Sequence, residues 1–428
     1  MSEEPAKNTR VLSRENLLTI YLPAATLALG NGIVTPVLPV FAKSFDVSFG
    51  VASEMFVAQL LGGLAATIPT GFLIDRFGRR RIILLGPVLV ALSSLLTAYA
   101  HTFPELLVYR FIAGWATQMW MLGRLAMIAD TGGDRQRGRQ ITGMLGMDTT
   151  GRLIGPAAGG LLAGMWDIRA PFIAHAILSL ASIIPSLQMQ ESAPGLRRGA
   201  AGVPRSEGGG WRTSTLGALL TYSVLIFFFA QLLASLTRGT LFSGTVNLYP
   251  VYAYDVGPET LGWITTIAGA VGIPIVFSTG AIMDRFGRKK TVVPGFALLG
   301  LTLGFIAFTA YAGLPLETYV IGFIAMQAAQ SVTSGNMQVI GSDIAPAHAR
   351  GKFFGVWRLI GEIGQVGSPV AYAFLAENSG YGTAFLFLTA TALSTALVLA
   401  TQVKEPLRAT PVETGEVPQA EPARTAAG

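Results

Sequence analysis

Of the 428 residues, 51% are hydrophobic and 13% charged, about half the charged share of soluble domains (roughly 25%). That balance excludes a string of polar-surfaced soluble domains, and the absence of cysteine excludes disulfides, thiolate metal sites and a cysteine nucleophile. A net charge of +6 and three scattered histidines leave nucleic-acid binding to be judged from where the charge lies, and give no histidine-rich metal site.

Residues 1–16 are a polar tail. From Leu17 onward, apolar blocks of about 20 residues, enough to cross a hydrocarbon core, follow one another with short polar breaks. The stretch beginning near Leu17 is too long for a secretory signal and no small-residue cleavage site follows it. The blocks predict an all-α membrane protein with twelve transmembrane helices at 17–41, 51–74, 82–101, 105–129, 141–165, 171–189, 216–252, 260–283, 291–312, 316–341, 353–377 and 381–402. The seventh block is overlong, so part of it is expected outside the membrane. Residues 190–213, rich in Gly, Arg and Ser, read as a linker between bundles at 17–189 and 214–402, and 403–428 read as a disordered tail. Of 30 lysines and arginines, 23 fall in the tails, the linker and the even-to-odd loops, five inside spans, and only Lys43 and Arg169 on the opposite side. This bias orients membrane proteins with positive loops in the cytoplasm. Both termini are therefore expected inside, in a multi-pass protein of the cytoplasmic (inner) membrane, with lipid rather than nucleic acid around it.

In chain order, the first span carries Asn31. The loop after the second span reads Gly71-Phe-Leu-Ile-Asp75-Arg76-Phe-Gly78-Arg79-Arg80, and the same pattern returns 209 residues later with Asp284, Arg285 and Arg288. The fourth span lines up Arg110, Thr117, Met121 and Arg124 on one helical stripe and is followed by Asp130. In the fifth, Asp148, Gly151, Arg152, Gly155 and Gly159 share a stripe, beside Pro156 and Gly160. The seventh aligns Phe227, Gln231, Arg238, Phe242, Thr245 and Tyr249; the eleventh aligns Arg358, Glu362, Gln365, Pro369 and Tyr372. Pro39, Asp130, Gly138 and Pro156 return as Pro250, Asp343, Gly351 and Pro369 at offsets of 211 to 213. Such constancy marks a duplication into two six-helix bundles, a known way to build a transporter with its site at the repeat interface.

On these residues the chain resembles the major facilitator superfamily over roughly 15–402, with both copies of the loop after the second span nearly complete. Within it, Gly151, Gly155, Pro156, Gly159 and Gly160 resemble the pattern of the twelve-span drug/proton antiporter group, with Arg110 and Gly114 a shorter match. The resemblance implies two bundles rocking about a central cavity, with the glycines and Pro156 forming a kinked seam between them. Arg152 departs from the group's pattern.

Asp75, at a cytoplasmic helix end, can accept from orphan N–H groups at a neighbouring helix N-terminus, and the arginines after it can bridge to acids such as Asp130. That makes a gating latch; enforcement of topology by the same arginines is the competing reading. Ionisable groups deep in a bilayer are costly and usually functional. Arg110, Arg124, Arg152, Arg238 and Arg358 are accordingly candidates for a substrate cavity, joined by Met121, Gln231, Phe242 and Gln365 from their mixed polar and apolar stripes and by Asn31, which can hydrogen-bond substrate or pack helices. Arg124 and Asp148 both lie near the cytoplasmic end and are placed to pair. Asp148 and Glu362, the only carboxylates well inside spans, are alternative proton carriers; structural i, i+4 pairing with Arg152 and Arg358 stands against that role. Arg152 and Arg238 lie nearest mid-depth, and the arrangement that the resemblance implies would bring them to one cavity from two sides.

The expected function is secondary active transport, as proton-coupled efflux of drug-like or amphipathic compounds by a monomer. A uniporter or importer of an organic anion or sugar without proton coupling competes with it, and a membrane receptor or membrane-embedded enzyme stands further off. No nucleophile–base pair, metal cluster or phosphate-binding loop is recognisable, so no enzymatic activity, cofactor or metal is expected.

Overall fold

The computed structural model describes residues 21–131, 134–187, 219–334, 336–346 and 349–403. The 1–16 tail, the 190–213 linker, residues 404–428 and the side chain of Asp284 lie outside the described residues. All described elements are helical: α1 (Leu22–Val34), α2 (Val37–Lys43), α3 (Phe49–Phe77), α4 (Arg79–Ala98), α5 (Phe103–Thr131), α6 (Asp134–Met165), α7 (Ala170–Ala181) and α8 (Ile183–Ser186) form the first half. The second half holds α9 (Tyr222–Ser243), α10 (Leu248–Ala253), α11 (Pro258–Phe286), α12 (Arg288–Ala312), α13 (Leu316–Val332), α14 (Asn336–Ile344), α15 (Arg350–Ser379) and α16 (Tyr381–Thr401).

Among the described residues, seven helical stretches are long and apolar enough to cross a membrane: 22–43, α3, α4, α9, most of α11, α12 and α16. The helices that miss that standard do so for definite reasons. Arg110, Gln118 and Arg124 lower the hydropathy of α5; Asp148 and Arg152 do so in α6, and Arg358, Glu362 and Gln365 in α15. The α13 helix is simply short, at 17 residues. The residues that cost these helices their hydropathy are mostly the candidate site residues.

The duplication is visible in the backbone. The first helix of each half breaks before its end, α1 at Thr35–Pro36 and α9 at Gly244, whose φ of 85° admits a residue without Cβ. This break resolves the overlong seventh block: a 22-residue helix, a short 3-10 turn and the six-residue α10. Asp46 and Asp255, 209 residues apart, both adopt φ 55° just before the second helix of their half. Gly78 and Gly287, also 209 apart, each form a one-residue turn with φ of 88° and 101°, so a helix on either side can begin and end without a loop.

Packing repeats too. In each half the first helix packs on the fifth, the second on the fourth, and the third on the fourth and sixth. The halves meet mainly along α6–α11 and α3–α15. Without a hydrophobic force between helices in lipid, close approach of small residues holds such contacts. Gly62 and Gly114 sit directly on the backbones of Phe111 and Gln59, so α3 and α5 touch main chain to main chain. Exposed Ile177, Leu301, Ile321 and Leu397 give the exterior an apolar face.

Candidate functional site

The two halves are tied together at the end away from the Gly78 and Gly287 turns. Lys43 closes α2, and its Nζ donates to the Val251 carbonyl at 2.8 Å and to Asp255 Oδ1 at 2.7 Å. That hydrogen bond and the lysine's charge hold the Asp255 carboxyl below the usual range. The Gly50 amide donates to Glu377 Oε2 at 2.8 Å, and the Tyr252 hydroxyl to the Val47 carbonyl at 3.0 Å. Phe49, one residue after the Ser48 cap of α3, is 4% exposed. Its ring meets Tyr252, Tyr372 and Tyr381 of the other half, at centroid distances of 5.6, 5.9 and 5.1 Å.

At the opposite end the contacts described join helices of the same half. Arg79 Nε pairs with Asp130 Oδ2 at 2.8 Å, and Arg80 donates to the Leu187 carbonyl at 2.8 Å. The second copy repeats the arrangement: Arg288 pairs with Asp343, and Lys289 donates to the Val403 carbonyl. Arg76 and Arg285 each lie over the next residue's ring, Phe77 and Phe286. Asp75, on the last turn of α3, is exposed, and a Cβ at Gly71 or Gly280 would meet nothing within 4 Å. The arginine–Asp130 bridge expected from the sequence therefore exists, but it clamps one half internally and does not span the two.

The glycine-rich stretch of α6 has two faces. Gly151, Gly155 and Gly159 press on Ala28, Gly32 and Ile33 of α1, within their own half. Pro156 and Gly160 meet α11 at Gly262 and at Pro258–Glu259, and the Thr266 hydroxyl accepts from the Ala157 amide at 2.9 Å. The seam expected between the halves is thus made by Pro156 and Gly160, while the Gly151–Gly155–Gly159 stripe is an internal joint; the correction follows from the two sets lying on different sides of one helix. Toward the Gly78 end the seam widens, since Gly269 faces only the Leu153 side chain and Gly146 faces nothing within 4 Å.

Between the halves lies a cavity of about 410 Å³ whose walls include Asn31, Arg110, Arg152, Phe242, Asn247 and Gln327. Arg110 is 3% exposed and donates to the Thr97 hydroxyl at 3.0 Å. Arg152 Nε pairs with Asp148 Oδ2 at 2.8 Å, their side chains 61% and 34% exposed. A smaller cavity of about 260 Å³, within the second half, is lined by Gln231, Arg238, Phe242, Gln338, Trp357 and Gln365 among others. The Arg238 guanidinium lies over the Phe242 ring, 4.7 Å from its centroid.

Four expectations about the cavity residues need correction. Arg152 and Arg238 do not share a cavity; each lines its own, and Phe242 is common to both walls. Arg124 and Asp148 do not form the expected pair: Asp148 is bound to Arg152, and Arg124 is fully buried with its guanidinium 4.9 Å from the Trp120 ring centre. Met121, Arg124 and Arg358 border neither cavity; Met121 packs against the Trp120 cluster, and Arg358 lies 3.6 Å from Glu362 in a half-exposed pair. Tyr249 and Tyr372, on the predicted cavity stripes, are buried instead in the aromatic cluster at the closed end.

Sequence reasoning missed Trp357, Gln338, Phe49 and Glu377. Trp357 is eight positions before Gln365, so a stripe drawn one residue wider would have included it. Phe49 and Glu377 lie at span edges, where no periodicity separates a gate from a loop. It also missed the buried Ser94–His175 bond of 2.7 Å. Among the described residues no group of His, Cys, Asp or Glu could hold a metal ion.

A family model described as Major Facilitator Superfamily matches residues 20–257 and 227–426. The tetracycline resistance protein, class C, of Escherichia coli is 29% identical over 342 residues, 76% of this chain and 82% of that one. Multidrug resistance protein 2 of Bacillus subtilis (strain 168) is 26% identical over 322 residues, 72% of this chain and 79% of that one. Among solved structures, that of the D-xylose-proton symporter superposes with a TM-score of 0.72 over 93% of this chain and 98% of that one, at 17% identity, a likeness of fold.

Proposed function

The chain belongs to the Major Facilitator Superfamily, and from that premise we propose a secondary active transporter that exports amphipathic, drug-like compounds in exchange for protons by alternating access. The observation that carries this reading is the cavity of about 410 Å³ between two repeated halves, with the bonds between the halves described above lying at one end. With twelve spans, cytoplasmic termini and an inner-membrane location, the positive-loop bias assigns the closed end to the outside and the open end to the cytoplasm. Efflux needs that inward-facing state to load cargo. Relatives named for tetracycline and multidrug resistance are the reason drug-like compounds are put forward as cargo; export is this reading's own step. The protein works as a monomer, since each half already supplies one wall of the site.

Asp75 is the moving part of the latch in this account. It stands exposed while the cavity is open inward; when the cytoplasmic ends close, it meets a helix end of the other half. Arg79 and Arg288, fixed to Asp130 and Asp343, keep each half rigid during that motion.

Asp148 and Glu362 are the alternative proton carriers. Both are held by an arginine four residues away, at 2.8 and 3.6 Å, yet neither is sealed from solvent. A carrier must take and release its proton within each cycle, so its amide analogue should lose uphill transport while retaining downhill exchange. Glu362→Gln and Asp148→Asn are measured separately in liposomes, with and without an imposed pH gradient. If both variants still concentrate substrate as the wild type does, neither residue carries the proton.

A further inference from the structure

The smaller cavity has a composition unlike the central one. Nine residues line it, and they include one positive charge, Arg238, three glutamines, and no carboxylate. Three polar atoms of these residues are buried without a hydrogen-bond partner among the described residues: Arg238 Nε, Gln231 Oε1 and Trp357 Nε1. Buried polar groups are normally satisfied, and leaving one unmade costs about 1–3 kcal/mol, more for a charged group. Three such atoms around one cavity, two of them donors and one an acceptor, match a ligand that brings an oxyanion and a donor beside it. The Phe242 ring covers one face of the Arg238 guanidinium, leaving the in-plane N–H fork for an oxyanion. Gln231 Nε2 is already committed to the Ser235 hydroxyl at 3.1 Å, so the Gln231 carbonyl oxygen is what that side chain has left to offer. The nearest acid along α15, Glu362, is paired with Arg358 and lines neither cavity.

We propose that this cavity is a binding subsite for an organic oxyanion, an aromatic carboxylate or the carboxylate end of a larger amphiphile, held by Arg238 and the Trp357 indole N–H. The ligand's ring lies against Phe242 and Trp357, and a hydroxyl or amide beside the carboxylate donates to Gln231 Oε1. The volume of about 260 Å³ falls just under the roughly 300–1,000 Å³ of drug-sized sites, which suits a single-ring head rather than a whole drug. Because Phe242 also borders the central cavity, a longer molecule can keep its apolar body there. The proposal deepens the transporter reading by naming a cargo class, and rests on it only for the claim that the bound anion is cargo.

The test is equilibrium binding of three single-ring probes, salicylate, salicyl alcohol and benzylammonium, to the full chain in nanodiscs, read by intrinsic fluorescence and calorimetry. Salicylate should bind saturably and at least about tenfold more tightly than the other two, as a charge-assisted bond requires. Arg238→Gln should weaken it by about tenfold or more, Arg238→Lys by less, and Trp357→Phe should remove part of the affinity together with the ligand-dependent fluorescence change. Should Arg238→Gln fail to fold, Gln231→Leu supplies the second variant, losing affinity for salicylate but not for benzoate, which lacks the hydroxyl donor. Equal affinity for the three probes, or salicylate binding untouched by Arg238→Gln in folded protein, overturns the subsite, as does competition by chloride alone at the same strength. Transport of a neutral or cationic dye by the same preparation in liposomes separates the claims: dye transport without salicylate binding sinks the subsite and leaves the transporter standing.

Discussion

Replacing Phe49 by alanine should release the closed end of the molecule, where the two halves are tied together. Phe49 makes three ring contacts, with Tyr252, Tyr372 and Tyr381, all across the boundary between the halves. Aromatic pairs of this kind contribute about 0.5–1.5 kcal/mol each beyond burial. Only contacts that exist in one access state bias the equilibrium between states, and these three qualify because their partners belong to the half that must move away. Roughly 2–4 kcal/mol of the preference for the state with this end closed is then lost, a change of about 30- to 1,000-fold in the ratio of the two states. The Lys43–Asp255 pair and the Gly50–Glu377 bond remain, so the closed end should loosen without falling apart. The sequence has no cysteine, so the pair Thr102→Cys and Ala312→Cys, one on each half at the closed end, can be spin-labelled without background. In Phe49→Ala the distance distribution should gain a longer component that is minor or absent in the parent. An unchanged distribution in well-folded protein would mean that the aromatic cluster is ordinary core, and that the closure is held elsewhere.

Other expectations concern separate joints. A methyl at Gly159 would run into the Ile33 carbonyl oxygen, and one at Gly155 would lie 2.5 Å from Gly32 Cα, so Gly159→Ala should push α1 from α6; overpacking of this kind costs about 1–3 kcal/mol, seen as a lower melting temperature in detergent, and an unchanged melting temperature contradicts the packing. The Asp255 carboxyl is held below its usual range by Lys43, so the pair is fully formed at neutral pH and is lost as the pH falls through that lowered value. Wild type should show the closed end loosened only in strong acid, whereas Asp255→Asn should show it at pH 7 with no acid-dependent step; a persisting step in the variant would assign it to another group. Asp75→Asn should insert and fold normally but turn over more slowly, because a latch that forms only when the cytoplasmic ends close is weakened. Full transport at normal expression would leave Asp75 without a gating part.

The repeat, the helical class and the motif turns were legible because lipid leaves the chain little choice. Helices must satisfy their own backbone, and the one-residue turns at Gly78 and Gly287 need a residue that tolerates positive φ. The ion pairs were legible in part: i, i+4 spacing announced Arg152–Asp148 and Arg358–Glu362, and Arg79–Asp130 followed from chemistry. The helical stripes carry Arg110 and Arg238, each of which lines a cavity, but could not tell cavity from core. Tyr249 and Arg124 sit on the same stripes and are buried, since a stripe fixes direction and not what stands opposite. Nor could periodicity separate the two faces of α6, where Gly155 meets its own half and Pro156, the next residue, meets the other. The closure between the halves was invisible for a related reason: Lys43 and Asp255 are 212 residues apart, and neither lies within a predicted span.

Alternating access coupled to protons is tested most directly by purified protein in liposomes with no other component present. Loaded outward-facing, with tetracycline and a fluorescent cationic dye as separate cargoes, the vesicles should accumulate at least one against its gradient when the proton gradient is imposed in the driving direction. Reversing that gradient should reverse the flux, and collapsing it should leave only downhill exchange. Movement that is indifferent to the proton gradient in magnitude and direction would contradict the antiport account and favour a uniporter of the same fold.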